Sequence, residues 1–290
     1  MTTIAIIGLG LIGGSMAKDL KSQLNVRVLG VDLHPENASL ALELNLVDDI
    51  VTYEAALQQA QVIILAFPVN QIEKQLPQIL NDIEPGTVVI DVGSTKEKIC
   101  RRVSEHPRRG LFVAAHPLAG TEFSGPQAAI SGLFRNKNNI ICDKERSNEQ
   151  SLKMALELFN SIGMLTRFLS SADHDKHMAY VSHLSHISSF TLSLTVLDIE
   201  KDESQIFNLA STGFESTARL AKSNPETWSP IFEKNSQHLI EAIDRYSSYL
   251  TEFKEALIHQ DKEKLKKMMS SANDIKRVLN KQSLTTNKLL

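Results

Sequence analysis

The chain has 290 residues, and 31 lysines and arginines against 34 aspartates and glutamates give it a formal net charge of -3. This balance and an aromatic content of 6% argue against nucleic-acid binding, which needs a basic field to neutralise phosphates. The length predicts two domains, and two cysteines are too few for the disulfide framework of a small secreted protein.

The N-terminal segment is apolar but has no cationic leader. Glycines follow Thr3–Ile7 at once, which indicates a buried strand and not a signal peptide. No segment of the sequence approaches the roughly 20 apolar residues that a membrane span needs. We therefore expect a soluble, cytoplasmic protein with no membrane partner.

Short β-branched runs alternate with helical patterns over the first 170 residues. Runs that are apolar on both faces and separated by helices predict a parallel sheet covered on both sides. The predicted strands are Thr3–Ile7, Val26–Val31, Val62–Ala66, Thr87–Asp91, Phe112–Ala115, Asn139–Cys142 and Leu165–Leu169, and the clearest helices are Leu11–Leu24, Gln71–Asn81 and Asn148–Ser161. This is the pattern of a doubly wound α/β domain.

A glycine-rich loop, GLGLIG from Gly8, joins the first predicted strand to the first helix. In such a loop Gly8 allows a tight turn, Gly10 lets the backbone approach a pyrophosphate, and Gly13 lets helix and strand pack closely. The backbone N–H groups of Leu11 and Ile12 begin the helix, where phosphate oxygens bind. The loop in this context predicts a Rossmann-type dinucleotide-binding domain over residues 1–170.

The second predicted strand leads into Asp32, about 20 residues beyond the glycine loop. A carboxylate at this position accepts hydrogen bonds from an adenosine ribose and repels a 2′-phosphate. No arginine follows in the next three residues, so NAD is favoured over NADP. The alternative is that the glycines only make a turn and that Asp32 caps the next helix.

Two later strands are followed by polar residues at the carboxyl edge of the sheet, where ligands bind in open α/β folds. Ser94 follows Thr87–Asp91, and His116 follows Phe112–Ala115. An uncharged imidazole there can accept a hydroxyl proton while hydride leaves the same carbon. An N-cap for Ser94 and a turn-shaping role for His116 are the alternatives.

From residue 171 onward helical patterns replace the β-branched runs, which predicts an all-α domain over residues 171–290. Asn224-Pro225-Glu226 is typical of a helix start. A last helix is expected from Lys262 to about Lys281, followed by a frayed polar tail. Arg219 is a candidate for a bidentate pair with a substrate carboxylate, and a surface arginine is the alternative.

Four histidines follow the predicted domain boundary: His174, His177, His183 and His186. On a continuous α-helix the first two lie on one side and the last two on the other, so one metal ion cannot reach both pairs. No metal site is therefore predicted. A polar stripe that can line a cleft is instead shared by Asp175, Ala179, Ser182 and His186. The opposite face is apolar and is expected to pack on neighbouring helices; it consists of Tyr180, Val181, Leu184 and Ile187.

Together these motifs resemble the prephenate and arogenate dehydrogenases of tyrosine biosynthesis. The matching stretches, between residue 4 and about residue 230, are GLGLIGGS, DVGSTK, HPLAGTE, DHDxxxAYVSHLSH, and GFESTAR before NPETW. The resemblance implies an NAD-dependent oxidative decarboxylation of prephenate to 4-hydroxyphenylpyruvate, in which the ring carboxylate leaves as CO2 and aromatisation drives the step. It also implies a homodimer formed through the helical domain.

The resemblance also implies roles for matching residues. His116 would take the hydroxyl proton, Ser94 would hydrogen-bond His116 and the substrate hydroxyl, and Arg219 would pair with the ring carboxylate. The implied pocket residues are Ser182, His183 and His186, with Thr121, Glu122 and Trp228 at the margin. The chain departs from the family pattern at Ser185, Glu215 and Ser216.

Three alternatives remain open from the sequence. Arogenate has an amino group in place of the keto group of prephenate, and Glu122 or Glu215 could face its ammonium; a neutral or cationic His186 suits the keto acid better. A β-hydroxyacid dehydrogenase on the same fold would use a lysine such as Lys176. A nucleotide-sensing interaction protein would have no catalysis.

Overall fold

In the computed structural model, which describes residues 1–200 and 211–277, one eight-stranded sheet forms the N-terminal part of the chain. The strands are β1 (Thr2–Ile7), β2 (Val26–Val31), β3 (Asp49–Ile50), β4 (Val62–Leu65), β5 (Val88–Asp91), β6 (Phe112–Pro117), β7 (Asn138–Cys142) and β8 (Leu165–Leu169). Their order across the sheet is β3-β2-β1-β4-β5-β6-β7-β8. The order turns at β1, so the carboxyl ends of β1 and β4 flank the crevice where dinucleotides bind in this fold.

Six helices cover the two faces of the sheet: α1 (Leu11–Gln23), α2 (Pro35–Glu43), α3 (Tyr53–Gln59), α4 (Val69–Asp82), α5 (Glu97–Arg102) and α6 (Glu149–Ser161). Alternate strand residues enter two apolar clusters, with Ile4 and Ile6 in one and Ala5 and Ile7 in the other. The first cluster includes residues of α1, α2 and α6, and the second includes residues of α3, α4 and α5. The predicted Rossmann-type domain with helices on both faces is confirmed.

The prediction of a parallel sheet is wrong for its last two strands. β7 pairs antiparallel with β6, with Pro117 opposite Asn139, and β8 runs parallel to β7. The segment between β6 and β7 contains only a short 3-10 turn, Pro126–Ala128, and no longer helix. A parallel connection needs a crossover element across the face of the sheet. Without one, β7 starts at the edge where β6 ends.

Helices continue the chain after β8. They are α7 (Ser171–Met178), α8 (Leu184–Glu200), α9 (Thr212–Ala218), α10 (Pro225–Lys234), α11 (Ser236–Ile258) and α12 (Lys262–Ala272). The predicted helix start at Asn224 is confirmed, because its side chain accepts the N–H of Glu226 at 2.9 Å. Residues 278–290, with the end of the predicted last helix and its tail, lie outside the described residues.

The chain divides into two compact units, Met1–Leu239 and Ile240–Leu290. The first contains the sheet and all helices up to α10, and the second contains most of α11 together with α12. The predicted boundary near residue 170, between a cofactor-binding domain and a helical domain, stays a prediction. Within the described parts of the chain, no helix has both the length and the apolarity to cross a membrane.

Both cysteines are buried and free. Cys100 lies on α5 and Cys142 on β7, and both belong to the apolar cluster that includes α4. Burial raises the pKa of the Cys100 thiol to about 12 and raises the pKa of Cys142 still further above its ordinary range. Both groups are therefore neutral thiols near neutral pH.

Candidate active site

The glycine loop between β1 and α1 has the geometry that its sequence predicts. Gly8 adopts a φ of +96° and donates its N–H to the carbonyl of Val31 at 2.8 Å. A Cβ on Gly13 would lie 1.9 Å from the carbonyl oxygen of Gly8, whereas a Cβ on Gly10 would meet no atom within 4 Å. Gly8 and Gly13 thus serve the turn and the packing, and Gly10 faces open space.

The side chain of Asp32 links the end of β2 to this loop by a hydrogen bond. Its carboxylate accepts the N–H of Leu9 at 2.8 Å and the N–H of His34 at 2.9 Å. It does not act as the N-cap of α2, because the N-cap residue is His34, whose own side chain makes no capping hydrogen bond. Each carboxylate oxygen can accept more than one hydrogen bond, so the group can also bind a ribose hydroxyl. The loop, the first turn of α1 with Leu11 and Ile12, and Asp32 fit an NAD cofactor.

His116, on β6, hydrogen-bonds a histidine of the helical segment. The Nδ1 atom of His116 lies 2.9 Å from Nε2 of His174, and Nδ1 of His174 lies 2.7 Å from Oδ1 of Asp175. Burial lowers the pKa of His116 well below its ordinary value, and the nearby His174 and Lys96 lower it further. The imidazole of His116 is therefore uncharged near neutral pH, as a proton acceptor requires.

Asp175 has a second function at the start of α5. Its Oδ1 accepts the N–H of Lys96 at 2.8 Å, and its Oδ2 accepts the N–H of Glu97 at 2.9 Å. Lys96 is the N-cap residue of α5 and its own side chain does not cap the helix. A carboxylate from α7 therefore satisfies N–H groups that would otherwise lack partners at this helix start.

A buried ion pair lies behind this network. The ammonium of Lys96 contacts the carboxylate of Asp91, and neither side chain is exposed. Asp91 also accepts the N–H of Gly93 at 2.6 Å. Burial raises the pKa of Asp91, while Lys96 and the Gly93 N–H act in the opposite direction. Hydrogen bonds and an opposite charge are the conditions under which a buried charge is tolerated.

The predicted continuous α-helix through the histidines is wrong. Residues Ala179–His183 form a π-helical turn between α7 and α8. A π-turn inserts one residue into the helical register and so changes the directions of the side chains beyond it. His174 and His183 are consequently both buried, at 0% and 1% exposure. The predicted apolar packing face is also wrong at Val181, which is 69% exposed in this chain.

His183 lies in the packed interior and is not at an open surface. Its Nδ1 lies 3.1 Å from the side-chain nitrogen of Asn235, and its ring meets Trp228 and Phe232 edge to face. Because the amide nitrogen of Asn235 donates, His183 accepts at Nδ1 and is neutral. Burial lowers its pKa to about 4. The structure thus gives His183 a packing role next to the predicted pocket residues.

His186 stacks on Trp228, with ring centroids 3.4 Å apart and planes at 25°. Its Nδ1 donates to the carbonyl of Ser182 at 3.0 Å. Burial lowers the pKa of His186, and the cation of Arg219 contributes in the same direction. The structure therefore brings His186, Ser182 and Trp228 together, as the resemblance implies.

Arg219 starts a 3-10 turn directly after α9, and its side chain is 51% exposed. Its guanidinium pairs with the carboxylate of Glu122 at 3.3 Å. Glu122 also lines a cavity of about 540 Å3 with Lys222 and Asn224. Thr121, which precedes Glu122, is exposed, and its hydroxyl oxygen accepts the N–H of Phe123 at 3.3 Å. These residues form a polar margin with two exposed cations, Arg219 and Lys222.

Ser94 is partly buried after β5 but does not make the implied hydrogen bond to His116, whose Nδ1 pairs with His174. Ser94 does not cap α5 either, since Asp175 takes that role. The sequence points to His174 only as one of four histidines that a metal could bind, and it does not relate Asp175 to His116. Lys96 and Asn235 were not predicted as site residues. The available signal was a lysine five residues after Asp91, the last residue of an apolar strand.

Comparisons with known proteins agree with these features. A family model described as prephenate dehydrogenase, nucleotide-binding domain, matches residues 16–166, and one described as prephenate dehydrogenase, dimerization domain, matches residues 170–271. The chain is 29% identical to a prephenate dehydrogenase of Bacillus subtilis, over 94% of this chain and 74% of that protein. It is 28% identical to a cyclohexadienyl dehydrogenase of Zymomonas mobilis, over 89% of each.

Among the solved structures that share the fold, two are described by what they contain. The prephenate dehydrogenase from A. aeolicus in complex with hydroxyphenyl propionate and NAD+ superposes with a TM-score of 0.87 at 28% identity, covering 96% of this chain and 98% of that one. The Synechocystis arogenate dehydrogenase gives a TM-score of 0.75 at 28% identity, covering 96% of this chain and 100% of that one.

Proposed function

Because the chain belongs to the prephenate dehydrogenase family, we propose that it catalyses the oxidative decarboxylation of prephenate to 4-hydroxyphenylpyruvate. The chain is an NAD-dependent oxidoreductase. The observation that carries the proposed reaction is the partly buried, uncharged imidazole of His116 at the carboxyl end of β6, hydrogen-bonded to His174. That edge of the sheet is also the one at which the glycine loop begins α1.

His116 is the proposed proton acceptor. It takes the proton of the 4-hydroxyl as the ring carbon is oxidised, and the ring carboxylate leaves as CO2 when its carbon–carbon bond breaks. The electrons of that bond complete the aromatic ring, and the proton returns to the phenolic oxygen, so the reaction releases no net proton. Bound NAD+ supplies the hydride acceptor.

The other site residues have proposed binding roles. Arg219 pairs with the ring carboxylate, for which its exposed guanidinium is suited, and Ser94 hydrogen-bonds the substrate hydroxyl. The remaining substrate contacts are proposed for Ser182, His186, Thr121 and Glu122, with His183 supporting them from the interior. The cofactor is held by Gly8, Gly10, Leu11, Ile12, Gly13 and Asp32.

Residues 1–170 form the proposed NAD-binding domain, and residues 171–290 form the proposed substrate-binding and dimerisation domain. A homodimer is supported by the match to a dimerization-domain model. It is also supported by exposed apolar side chains on α8, including Leu194 and Leu197, because such surfaces commonly mark interfaces. The two free, buried thiols fit the reducing cytoplasm, which is the proposed location.

The test is a side-by-side assay of NAD+ and NADP+ reduction with prephenate and with arogenate. We expect the highest kcat/KM for prephenate with NAD+. Faster NADP+ reduction would overturn the inference from Asp32, and preference for arogenate would reassign the substrate. No reduction with either substrate would reject the proposed function.

The proton acceptor is tested with His116→Asn, which should lower kcat by about 10²- to 10⁴-fold. His177→Asn is the matched control, since His177 is an exposed histidine outside the site. Undiminished NADH formation by the His116 variant would show that another group accepts the proton.

A further inference from the structure

We propose that His174 and Asp175 are positioning residues that hold His116 in the tautomer with hydrogen on Nδ1, leaving the lone pair of Nε2 for the substrate. The part of this inference that concerns the substrate rests on the proposed function. The three side chains come from β6 and α7 and form one hydrogen-bonded row, His116–His174–Asp175. Which nitrogen of each ring carries hydrogen follows from the partners along that row.

The carboxylate of Asp175 is a hydrogen-bond acceptor at both of its oxygens. Asp175 already accepts two backbone N–H groups, from Lys96 and Glu97, at 2.8 and 2.9 Å. Both oxygens of Asp175 therefore act as acceptors, and a carboxylate offers no hydrogen to donate. Nδ1 of His174, at 2.7 Å, must therefore be the donor in the bond to Asp175.

The bond to Asp175 fixes the position of the hydrogen on each of the two imidazoles. Burial lowers the pKa of His174, and the cation of Lys96 acts in the same direction, although Asp175 opposes both. A neutral His174 that donates from Nδ1 has its lone pair on Nε2. His116 must then donate from Nδ1 across the 2.9 Å contact, which leaves its Nε2 unprotonated.

The hydrogen-bonded row of His116, His174 and Asp175 is held rigidly. His174 and Asp175 are buried, with 0% and 1% of their surface exposed, so water does not compete for these bonds. The backbone carbonyl of Asp175 also accepts the side-chain N–H of Asn235 at 2.7 Å. A flip of the His116 ring would place a carbon opposite His174 and leave a buried acceptor unpaired, which is unfavourable.

The direct test is nitrogen NMR of the wild-type protein labelled with 15N-histidine. The His116 signals are identified by their disappearance in His116→Asn. We expect the shifts of an Nδ1–H tautomer for His116 and for His174. An Nε2–H tautomer of His116, or a doubly protonated His174 at neutral pH, would overturn the proposal.

The kinetic test compares two substitutions of His174. His174→Phe keeps a ring but removes the acceptor, and should lower kcat about 10²-fold with KM changed less than about threefold. His174→Gln can place its amide oxygen near the former Nε2 position, and should stay within about tenfold of the wild-type kcat. His177→Phe, on the exposed side of α7, is the matched control.

The outcomes separate this proposal from the proposed function. Loss of the Nδ1–H preference in His174→Phe, together with partial recovery in His174→Gln, supports the positioning role. Wild-type kcat in His174→Phe overturns it while the proposed function stands. If the wild-type protein oxidises neither prephenate nor arogenate, the proposed function fails, and the tautomer of His116 still decides the positioning role. If His174→Phe does not fold, the 15N NMR spectrum of the wild-type protein decides the positioning role by the tautomer of His116.

Discussion

The glycines at positions 10 and 13 meet different surroundings. A side chain on Gly13 would collide with the Gly8 carbonyl, whereas one on Gly10 would meet no protein atom within 4 Å. We expect Gly13→Ala to lower the free energy of unfolding by about 1–3 kcal/mol or more, because backbone must move. Urea titration measures this effect, and isothermal titration with NAD+ reports cofactor binding.

Gly10→Ala serves as the comparison. It should fold with nearly wild-type stability but bind NAD+ more weakly, because its methyl group would occupy the space near the pyrophosphate. Equal losses of stability in the two variants would contradict this division of roles.

The buried ion pair of Asp91 and Lys96 gives a second prediction for single residues. Lys96→Met should cost about 3–5 kcal/mol of unfolding free energy, because it leaves a carboxylate buried without its counter-ion. The double variant Asp91→Asn, Lys96→Met should be more stable than Lys96→Met alone. Chemical denaturation of the wild type, of the single variants Asp91→Asn and Lys96→Met, and of the double variant measures this coupling. A double variant less stable than both single variants would argue against an unpaired charge as the cause.

Single positions in the site could be predicted where a local pattern requires them. The glycine loop, Asp32 and His116 each stand beside a predicted strand, so their location at the carboxyl edge follows from the fold class. The partner of His116 could not be predicted in this way. His174 is 58 residues farther along the chain, and no local periodicity relates a strand end to a residue on a later helix.

At the scale of elements, hydrophobic periodicity was sufficient to predict the position of most strands and helices. β2 and β8 have the predicted bounds, and α1 differs from its prediction by one residue. The reversed direction of β7 and β8 was missed because it depends on the connection and not on the strands. The π-turn was missed because an inserted residue between two helices leaves both apolar patterns intact.

The second half of α11 carries exposed apolar side chains within the unit Ile240–Leu290, including Tyr249, Leu250 and Leu257. If they contribute to the proposed homodimer, Leu250→Glu should weaken association by placing a charge in an apolar interface. Light scattering after gel filtration should then show a shift from the mass of two chains toward the 32.2 kDa of one.

Lys254→Gln is the control for this test, since it alters an exposed polar residue of the same helix by the same change in charge. A dimer unaffected by Leu250→Glu would place the interface elsewhere. A wild-type protein with the mass of one chain would reject the homodimer.

At the scale of the whole molecule, several buried histidines make stability depend on pH. Burial lowers the pKa of His116, His174, His183 and His186, so the unfolded chain binds more protons than the folded one in mild acid. Their contribution to stability is present above about pH 6.5 and is lost as pH falls. For His183, whose folded pKa is about 4, the loss reaches the order of 3 kcal/mol.

Urea unfolding at several pH values between 7.5 and 4 measures this dependence. The free energy of unfolding should fall steadily below about pH 6.5, and His183→Phe should show a shallower decline. A stability that is constant between pH 7 and pH 4.5 would contradict the assignment of neutral, buried imidazoles.

The two thiols make the opening of the sheet observable by chemistry. Cys100 and Cys142 belong to the same apolar cluster, on α5 and β7, and both are protonated near neutral pH. A thiol reagent attacks only an accessible thiolate, so neither residue can react until that side of the sheet separates from its helices. With excess reagent, the rate of modification equals the rate of opening. Labelling of the native protein therefore measures how often this rare opening occurs.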